Sequence, residues 1–212
     1  FTDIGVTATI DWTLSNLTTA NSDHGTDLSG TLTFTQGNTY QRIYYTADPD
    51  NMDENDETLR LTLSNATNSA LGSVTTHIHT ILDDDDPPDI GFTAAATTKG
   101  ESDGTITITL DLDAPSGKNT SATVGIAGIS TATSTEDYTI AGATQQLDYT
   151  AGSQSESFTL DLNDDDLDED SPETLVLYIA GTSDLNIDAD YDTLTISITD
   201  NDIEPTVSVS ST

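Results

Sequence analysis

Two acidic segments of this sequence hold enough closely spaced carboxylates to bind a metal ion. They are Asp48–Glu57, DPDNMDENDE, and Asn163–Glu173, NDDDLDEDSPE. Each is followed by an apolar run and later by a second acidic cluster, Asp83–Asp86 or Asp200–Asp202. Carboxylates at this density repel one another unless a cation lies among them, and calcium is the cation that takes many oxygen ligands. The spacing therefore predicts calcium-binding loops.

The elements that must position these loops are β-strands. Thr105–Leu112, TITITLDL, has an apolar residue at every second position, and Thr174–Ala180 and Thr193–Thr199 alternate in the same way. This period, bounded by Gly, Asn and Asp, is typical of half-buried antiparallel strands. High net charge and 33% hydrophobic residues are also typical of disordered chains. The regular alternation favours an all-β fold over disorder.

An internal repeat divides the chain. Asp50 corresponds to Asp165 and Asp83 to Asp200, at offsets of 115 and 117 residues. We predict a partial repeat at 1–86 that lacks its first two strands, a complete repeat at 87–203, and at 204–212 the first strand of a third repeat or a linker. Seven strands are predicted in the complete repeat, which fits a two-sheet antiparallel sandwich. They lie near Ile90–Ala94, Thr105–Leu112, Ser121–Ala127, Thr144–Tyr149, Ser155–Leu162, Thr174–Ala180 and Thr193–Thr199.

The composition excludes several classes of partner. The chain has 38 acidic and 4 basic residues and a formal net charge of −34, so nucleic acid and anionic membranes are poor partners. There is no cysteine, which excludes disulfides and thiolate metal sites. No apolar run approaches the length of a membrane span, so we expect no direct membrane insertion. Millimolar calcium is an extracellular condition, which leads us to expect an extracellular or cell-surface location.

Two other chemistries compete with calcium binding. His77 and His79 alternate on one predicted strand and offer a transition-metal pair. They correspond to Leu194 and Ile196 of the second repeat, which favours partly buried or edge histidines. Paired carboxylates also occur in glycosidases, but a calcium site needs ionised carboxylates, whereas a general acid needs a raised pKa. We therefore expect a protein that is not an enzyme.

The acidic motifs resemble those of the Calx-beta family. In the second repeat the resemblance rests on NDDDLDEDSPETLVLYI, the upstream EDY and TISITDND. In the first repeat it rests on DENDETLRLTLSN, GTLTFTQGN and ILDDDD. The resemblance implies tandem immunoglobulin-like antiparallel β-sandwiches that bind calcium in the loops at one end. Such modules regulate sodium–calcium exchangers and recur in large surface proteins.

The resemblance implies one set of calcium ligands in each repeat. The second-repeat set is Glu101, Asp137, Asp164, Asp165, Glu169, Glu173, Asp200 and Asp202. The first-repeat set is Asp23, Asp50, Asp53, Glu54, Glu57, Asp83, Asp84 and Asp85. In the first repeat Pro49 stands where the second has Asp164, Asn51 replaces Asp166, and nothing corresponds to Glu101. We therefore expect weaker or fewer calcium ions there.

The expected function is that of a calcium-binding structural module. It would act as a rigid spacer or assembly unit in an extracellular surface, adhesin-like or matrix protein. The alternative is a regulatory calcium sensor of a membrane exchanger or receptor. The expected partners are calcium ions, neighbouring repeats and a second copy in head-to-tail self-assembly, in which Pro205–Ser210 would dock as a strand on the first repeat.

Overall fold

A computed structural model describes residues 5–18, 28–169 and 172–210, in which the regular secondary structure is almost entirely β-strand. A single 3-10 turn, Glu101–Asp103, interrupts the strands, and no helix among the described residues has the length and apolar character needed to cross a bilayer. The all-β prediction is confirmed. The strands are β1 (Ala8–Asn16), β2 (Ser29–Phe34), β3 (Glu57–Thr67), β4 (Thr76–Ile81), β5 (Asp89–Phe92), β6 (Ala96–Gly100), β7 (Thr105–Leu112), β8 (Thr120–Ile126), β9 (Tyr138–Thr139), β10 (Thr144–Tyr149), β11 (Ser155–Leu162), β12 (Glu173–Ser183), β13 (Asn186–Ile187) and β14 (Thr193–Thr199).

The chain forms two compact units, Phe1–Asp85 and Asp86–Thr212. The second unit has two five-stranded sheets, ordered β10-β8-β12-β14-β6 and β13-β5-β7-β11-β9. Within its described residues, the first unit has one four-stranded sheet, β2-β1-β3-β4. Its order and register repeat those of the first sheet of the second unit. Glu57 pairs with Ile81 between β3 and β4, as Glu173 pairs with Ile198 between β12 and β14.

The core of the second unit lies between its two sheets. Alternate residues of β7, β12 and β14 face inward, as the period of two requires. The Tyr149 hydroxyl donates to the Leu110 carbonyl at 3.0 Å, which satisfies the polar end of a buried ring. Burying this apolar layer fixes the strand ends, from which the acidic loops project. Its fully buried residues include Ile90, Leu110, Leu175, Leu177 and Ile196.

Two edge pairs differ from the antiparallel prediction, because β6 runs parallel to β14 and β13 runs parallel to β5. The chain leaves β5 at Phe92 in one sheet and enters β6 at Ala96 in the other. The seven strands predicted in the second repeat are all present, with ends shifted by up to three residues. β6, β9 and β13 were not predicted, since β6 (ATTKG) lacks apolar alternation and the other two have only two residues each.

The predicted strand Pro205–Ser210 is not formed in this structure. Residues 201–210 have no assigned secondary structure. Val207 and Val209 are fully exposed, so this segment contributes nothing to the core.

Candidate metal centre

Strand pairing brings distant acidic residues to one end of the second unit. Gly100, at the end of β6, pairs with Thr199 at the end of β14, so Glu101 and Asp200 follow neighbouring strand ends. At the end of β11, the Asn163 N–H donates to the Asp137 carbonyl at 3.0 Å. β12 begins at Glu173, which pairs with Ile198 of β14.

Carboxylates also shape the long acidic loop between β11 and β12. Asp165 Oδ1 accepts the Leu167 N–H at 2.7 Å and turns the loop locally. Asp200 Oδ2 accepts the Glu169 N–H at 3.0 Å and attaches the loop to the end of β14. Asp200 Oδ1 accepts the Asp202 N–H at 2.8 Å. One carboxylate therefore holds two segments that are about thirty residues apart.

Six of the predicted ligands form two groups. Glu101, Asp200 and Asp202 can each place a carboxylate oxygen within 4.8 Å of the others, and Asp137, Glu169 and Glu173 do the same. Glu101 and Asp137 are buried, at 4% and 7% exposure. The other two predicted ligands, Asp164 and Asp165, are exposed and belong to neither group. The structure thus groups six of the eight predicted residues, and Asn201 links a seventh, Asp164, to Glu101.

The pKa values of these groups reflect crowding of negative charge. Burial, reinforced by Asp137 and Glu169, raises the pKa of Glu173 to about 7. Burial also raises the pKa of Glu101, with Asp200 adding repulsion. The pKa of Glu169 is raised by burial and then by Asp137. The metal-free site therefore disfavours its own ionised form, so the raised pKa that the sequence argument reserved for a general acid also occurs in this acidic cluster.

Asp200 and Asp202 show how hydrogen bonding separates two neighbouring carboxylates. The backbone N–H groups of Asp202 and Glu169 lower the pKa of Asp200, because they stabilise its ionised form. Partial burial and the charge of Asp200 raise the pKa of Asp202. Hydrogen bonds thus stabilise the ionised form of Asp200 more than that of Asp202.

Each of the two groups contains a buried oxygen without a hydrogen-bond donor. Among the described residues, these atoms are Glu173 Oε2 and Asp202 Oδ2; Thr120 Oγ1, at the start of β8, is the third such atom. A buried acceptor without a partner costs about 1–3 kcal/mol. A hard cation bound to these oxygens removes that cost. Calcium prefers metal ligands that are all oxygen atoms, as they are here. The residues present therefore fit a calcium ion.

A Calx-beta domain model matches residues 2–85 and again 83–202. The chain belongs to the Calx-beta domain family. The family predicted from the acidic motifs is thereby confirmed.

Several solved structures resemble the chain at low sequence identity. An apo-form Calx CBD1 domain is 19% identical, with a TM-score of 0.49, and the match covers 54% of this chain and 98% of that one. CBD12 from CALX1.2 is 20% identical, with a TM-score of 0.46, over 92% of this chain and 89% of that one. A two-domain protein of unknown function from Bacteroides fragilis is 10% identical, with a TM-score of 0.39, over 54% of this chain and 46% of that one. A search of curated proteins finds no match.

The first Calx-beta repeat reproduces the loop bonds of the second. Asp50 Oδ1 accepts the Met52 N–H at 2.8 Å, as Asp165 accepts from Leu167. Asp83 Oδ2 accepts the Glu54 N–H at 3.1 Å, as Asp200 accepts from Glu169. These matched bonds establish the structural correspondence of the two acidic loops.

The acidic residues of the first repeat are less closely grouped than those of the second. Asp50, Glu54, Glu57 and Asp83–Asp85 line a groove of about 710 Å³, whereas Asp53 is 3% exposed. Burial and then Asp84 raise the pKa of Asp85. Within the described part of this repeat, no three candidate ligand oxygens lie within 4.8 Å of one another. Asp23 lies outside the described residues.

Two residues that contact the acidic loops were not predicted as site residues. Asn201 bridges Glu101 and Asp164 through its side chain, and Asp56 accepts the Asp83 N–H at 3.2 Å. The position of Asn201 inside the DND motif was the available signal. His77 and His79 are exposed on β4, with ring centroids 6.4 Å apart.

Proposed function

We propose that this chain binds calcium in the acidic loops of both Calx-beta repeats. The observation that carries the proposal is the pair of buried carboxylate oxygens, Glu173 Oε2 and Asp202 Oδ2, that have no donor. They belong to two different ligand groups at the same end of the second unit. Carboxylates whose pKa values are raised are stabilised most by a bound cation, because the cation removes the repulsion between them.

In the second repeat, Glu101, Asp200 and Asp202 would hold one part of the calcium site, and Asp137, Glu169 and Glu173 the other. Asp164 and Asp165 supply exposed carboxylates beside them. In the first repeat, the matched loop supplies Asp50, Asp53 and Glu54, with Glu57 and Asp83–Asp85 nearby. Bound calcium would neutralise these carboxylates and hold the loops on the strand ends. The carboxylates act as ligands in this role, and no catalytic step is involved.

We propose a structural role for this binding, as a spacer or assembly unit of an extracellular or cell-surface protein. Support comes from the tandem arrangement and from the net charge of −34, which suits a calcium-rich, salty medium. The competing role is a regulatory calcium sensor. A sensor requires calcium to shift a two-state equilibrium, whereas a spacer requires only that calcium rigidify one state.

Self-assembly through a free strand edge is a further part of this proposal. Within the described residues, β4 pairs only with β3, whereas its counterpart β14 also pairs with β6. An unpaired edge can accept a strand from another chain. The exposed segment Pro205–Ser210 of a second copy would be the donor. Its counterpart in the second unit, β5, pairs with β7 in the other sheet, so docking beside β4 would be a pairing that the second unit does not contain.

Thermal unfolding of the 212-residue chain with calcium and with chelator tests the binding proposal. Ligand that binds only the folded state adds about 4 kcal/mol at a thousandfold excess over the dissociation constant. Calcium should therefore raise the melting temperature, and magnesium at equal concentration is the control, because it dehydrates reluctantly. Overlapping curves with calcium and chelator would refute calcium binding.

Small-angle scattering across the calcium titration then separates the two roles. The dimensions of a spacer should change little once calcium is bound, whereas those of a sensor should switch between two values.

A further inference from the structure

The side chain of Asn201 lies between two predicted calcium ligands. Its amide Nδ2 donates to Glu101 Oε1 at 2.8 Å and to Asp164 Oδ1 at 2.9 Å. Its backbone N–H also donates to Glu101 Oε1 at 3.2 Å. Three hydrogen bonds therefore converge from one residue on two carboxylates that are 63 positions apart in the sequence. Hydrogen bonds to ionised acceptors are the stronger kind.

An amide at this position reduces the repulsion between the Glu101 and Asp164 carboxylates, which a bound cation would otherwise reduce. Glu101 is 4% exposed, and its burial is tolerated because Oε1 has these donors. Of the oxygens left without a donor, Glu173 Oε2 lies in the other ligand group, and Asp202 Oδ2 lies in the group that contains Glu101. Within that group, the protein itself therefore supplies donors to Glu101 Oε1 but none to Asp202 Oδ2.

We propose that Asn201 sets the number of calcium ions at this end of the second repeat, because its amide takes the place of a cation between Glu101 and Asp164. The inference rests on the proposed calcium binding. Changing Asn201 to aspartate removes the two donor hydrogens and adds a carboxylate at the same place. Asn201→Asp should therefore bind one calcium ion more than the unchanged chain.

The count of bound ions is measured on the full chain by native mass spectrometry at saturating calcium. Three variants are compared with the unchanged protein: Asn201→Asp, Asn201→Ala and Asn119→Asp. Asn119 is the matched control, since it gives the same change of charge before β8, where its Oδ1 accepts the Ala151 N–H. The proposal expects one extra ion for Asn201→Asp and an unchanged count for Asn119→Asp. Asn201→Ala removes the amide but adds no third carboxylate to Glu101 and Asp164, so it should keep the original count.

A metal-free measurement tests the bridge without calcium. In chelator, loss of the bridge in Asn201→Asp and Asn201→Ala should speed amide hydrogen exchange in Asn163–Glu169 by about tenfold or more. If the unchanged chain binds no calcium, the proposed function fails, and this exchange result still decides whether the bridge exists.

Three results would overturn the inference. An unchanged ion count in Asn201→Asp would mean that the amide does not exclude a cation. One ion fewer in Asn201→Ala would mean that Asn201 is itself a ligand. One extra ion in Asn119→Asp would mean that added charge alone is responsible.

Discussion

Glu173 offers the sharpest test of how the metal-free site is organised, through the substitution Glu173→Gln. Its Oε2 is buried without a donor, and burial beside Asp137 raises its pKa to about 7. An ionised Glu173 therefore opposes folding in chelator, and a neutral amide of the same shape does not. Removing a buried unpaired acceptor is worth about 1–3 kcal/mol. For a unit of this size the melting temperature in chelator at pH 7.5 should rise by about 5 °C.

Calcium should reduce this difference in stability. The glutamine supplies a neutral oxygen in place of a carboxylate, so calcium affinity should fall by about tenfold or more, which corresponds to about 1.4 kcal/mol. The variant should thus melt above the unchanged protein in chelator and gain less from calcium. Asp161→Asn is the matched control, because Asp161 is exposed on β11 and accepts a hydrogen bond from Thr105. If Glu173→Gln and Asp161→Asn behave alike in both media, the placement of Glu173 is wrong.

The dependence on pH follows from the same residue. A carboxyl group whose folded pKa lies above its ordinary value of 4.5 binds more protons in the folded state than in the unfolded state. The Glu173 contribution to stability in chelator is therefore most favourable below about pH 4.5 and is lost as pH rises towards 7. In Glu173→Gln, the part of the pH dependence of stability that comes from this carboxyl group should be absent. Melts in chelator at pH 5 and pH 7.5 measure it, and an equal slope in both proteins would contradict the assignment.

Three further predictions concern affinity, packing and assembly. In calorimetric titrations Glu173→Ala should lose more calcium affinity than Asp161→Ala; equal losses would argue against the ligand set. Leu175→Ala should cost about 2–5 kcal/mol in urea unfolding, since Leu175 is fully buried, whereas Leu167→Ala, at a 64% exposed position, should change stability by less than about 0.5 kcal/mol. Light scattering should show association of the full chain at high concentration and less after deletion of Glu204–Thr212; equal behaviour of the two forms would exclude docking of the tail.

Strict apolar alternation made the central strands predictable. Thr105–Leu112, Thr144–Tyr149 and Thr193–Thr199 form strands with the predicted bounds, because each alternates inward and outward residues. The acidic loops were predictable for a related reason. Their carboxylates bond backbone N–H groups two residues on, as Asp165 does with Leu167, and such local bonds depend on nearby sequence alone.

The features that escaped prediction depend on contacts between distant segments. β6 is a strand because its ATTKG backbone pairs with β14, about one hundred residues later, and its own side chains carry no periodic signal. Asn201 is significant because β6–β14 pairing places its amide beside Glu101, and the loop after β11 brings Asp164 to the same amide. An asparagine in an acidic run has no distinguishing mark until those partners are placed.

The two repeats differ at the pair of positions that carries this bridge. Where the second repeat has Asp164 and Asn201, the first has Pro49 and Asp84. Proline has no side-chain acceptor, and an ionised aspartate has no donor, so the amide bridge cannot form in the first repeat. The backbone bonds that shape the loop are kept in both repeats. Loop shape and internal charge neutralisation are therefore encoded by different residues. If calcium binds as proposed, the first repeat, which lacks the amide, would depend more completely on the cation to offset its carboxylate repulsion.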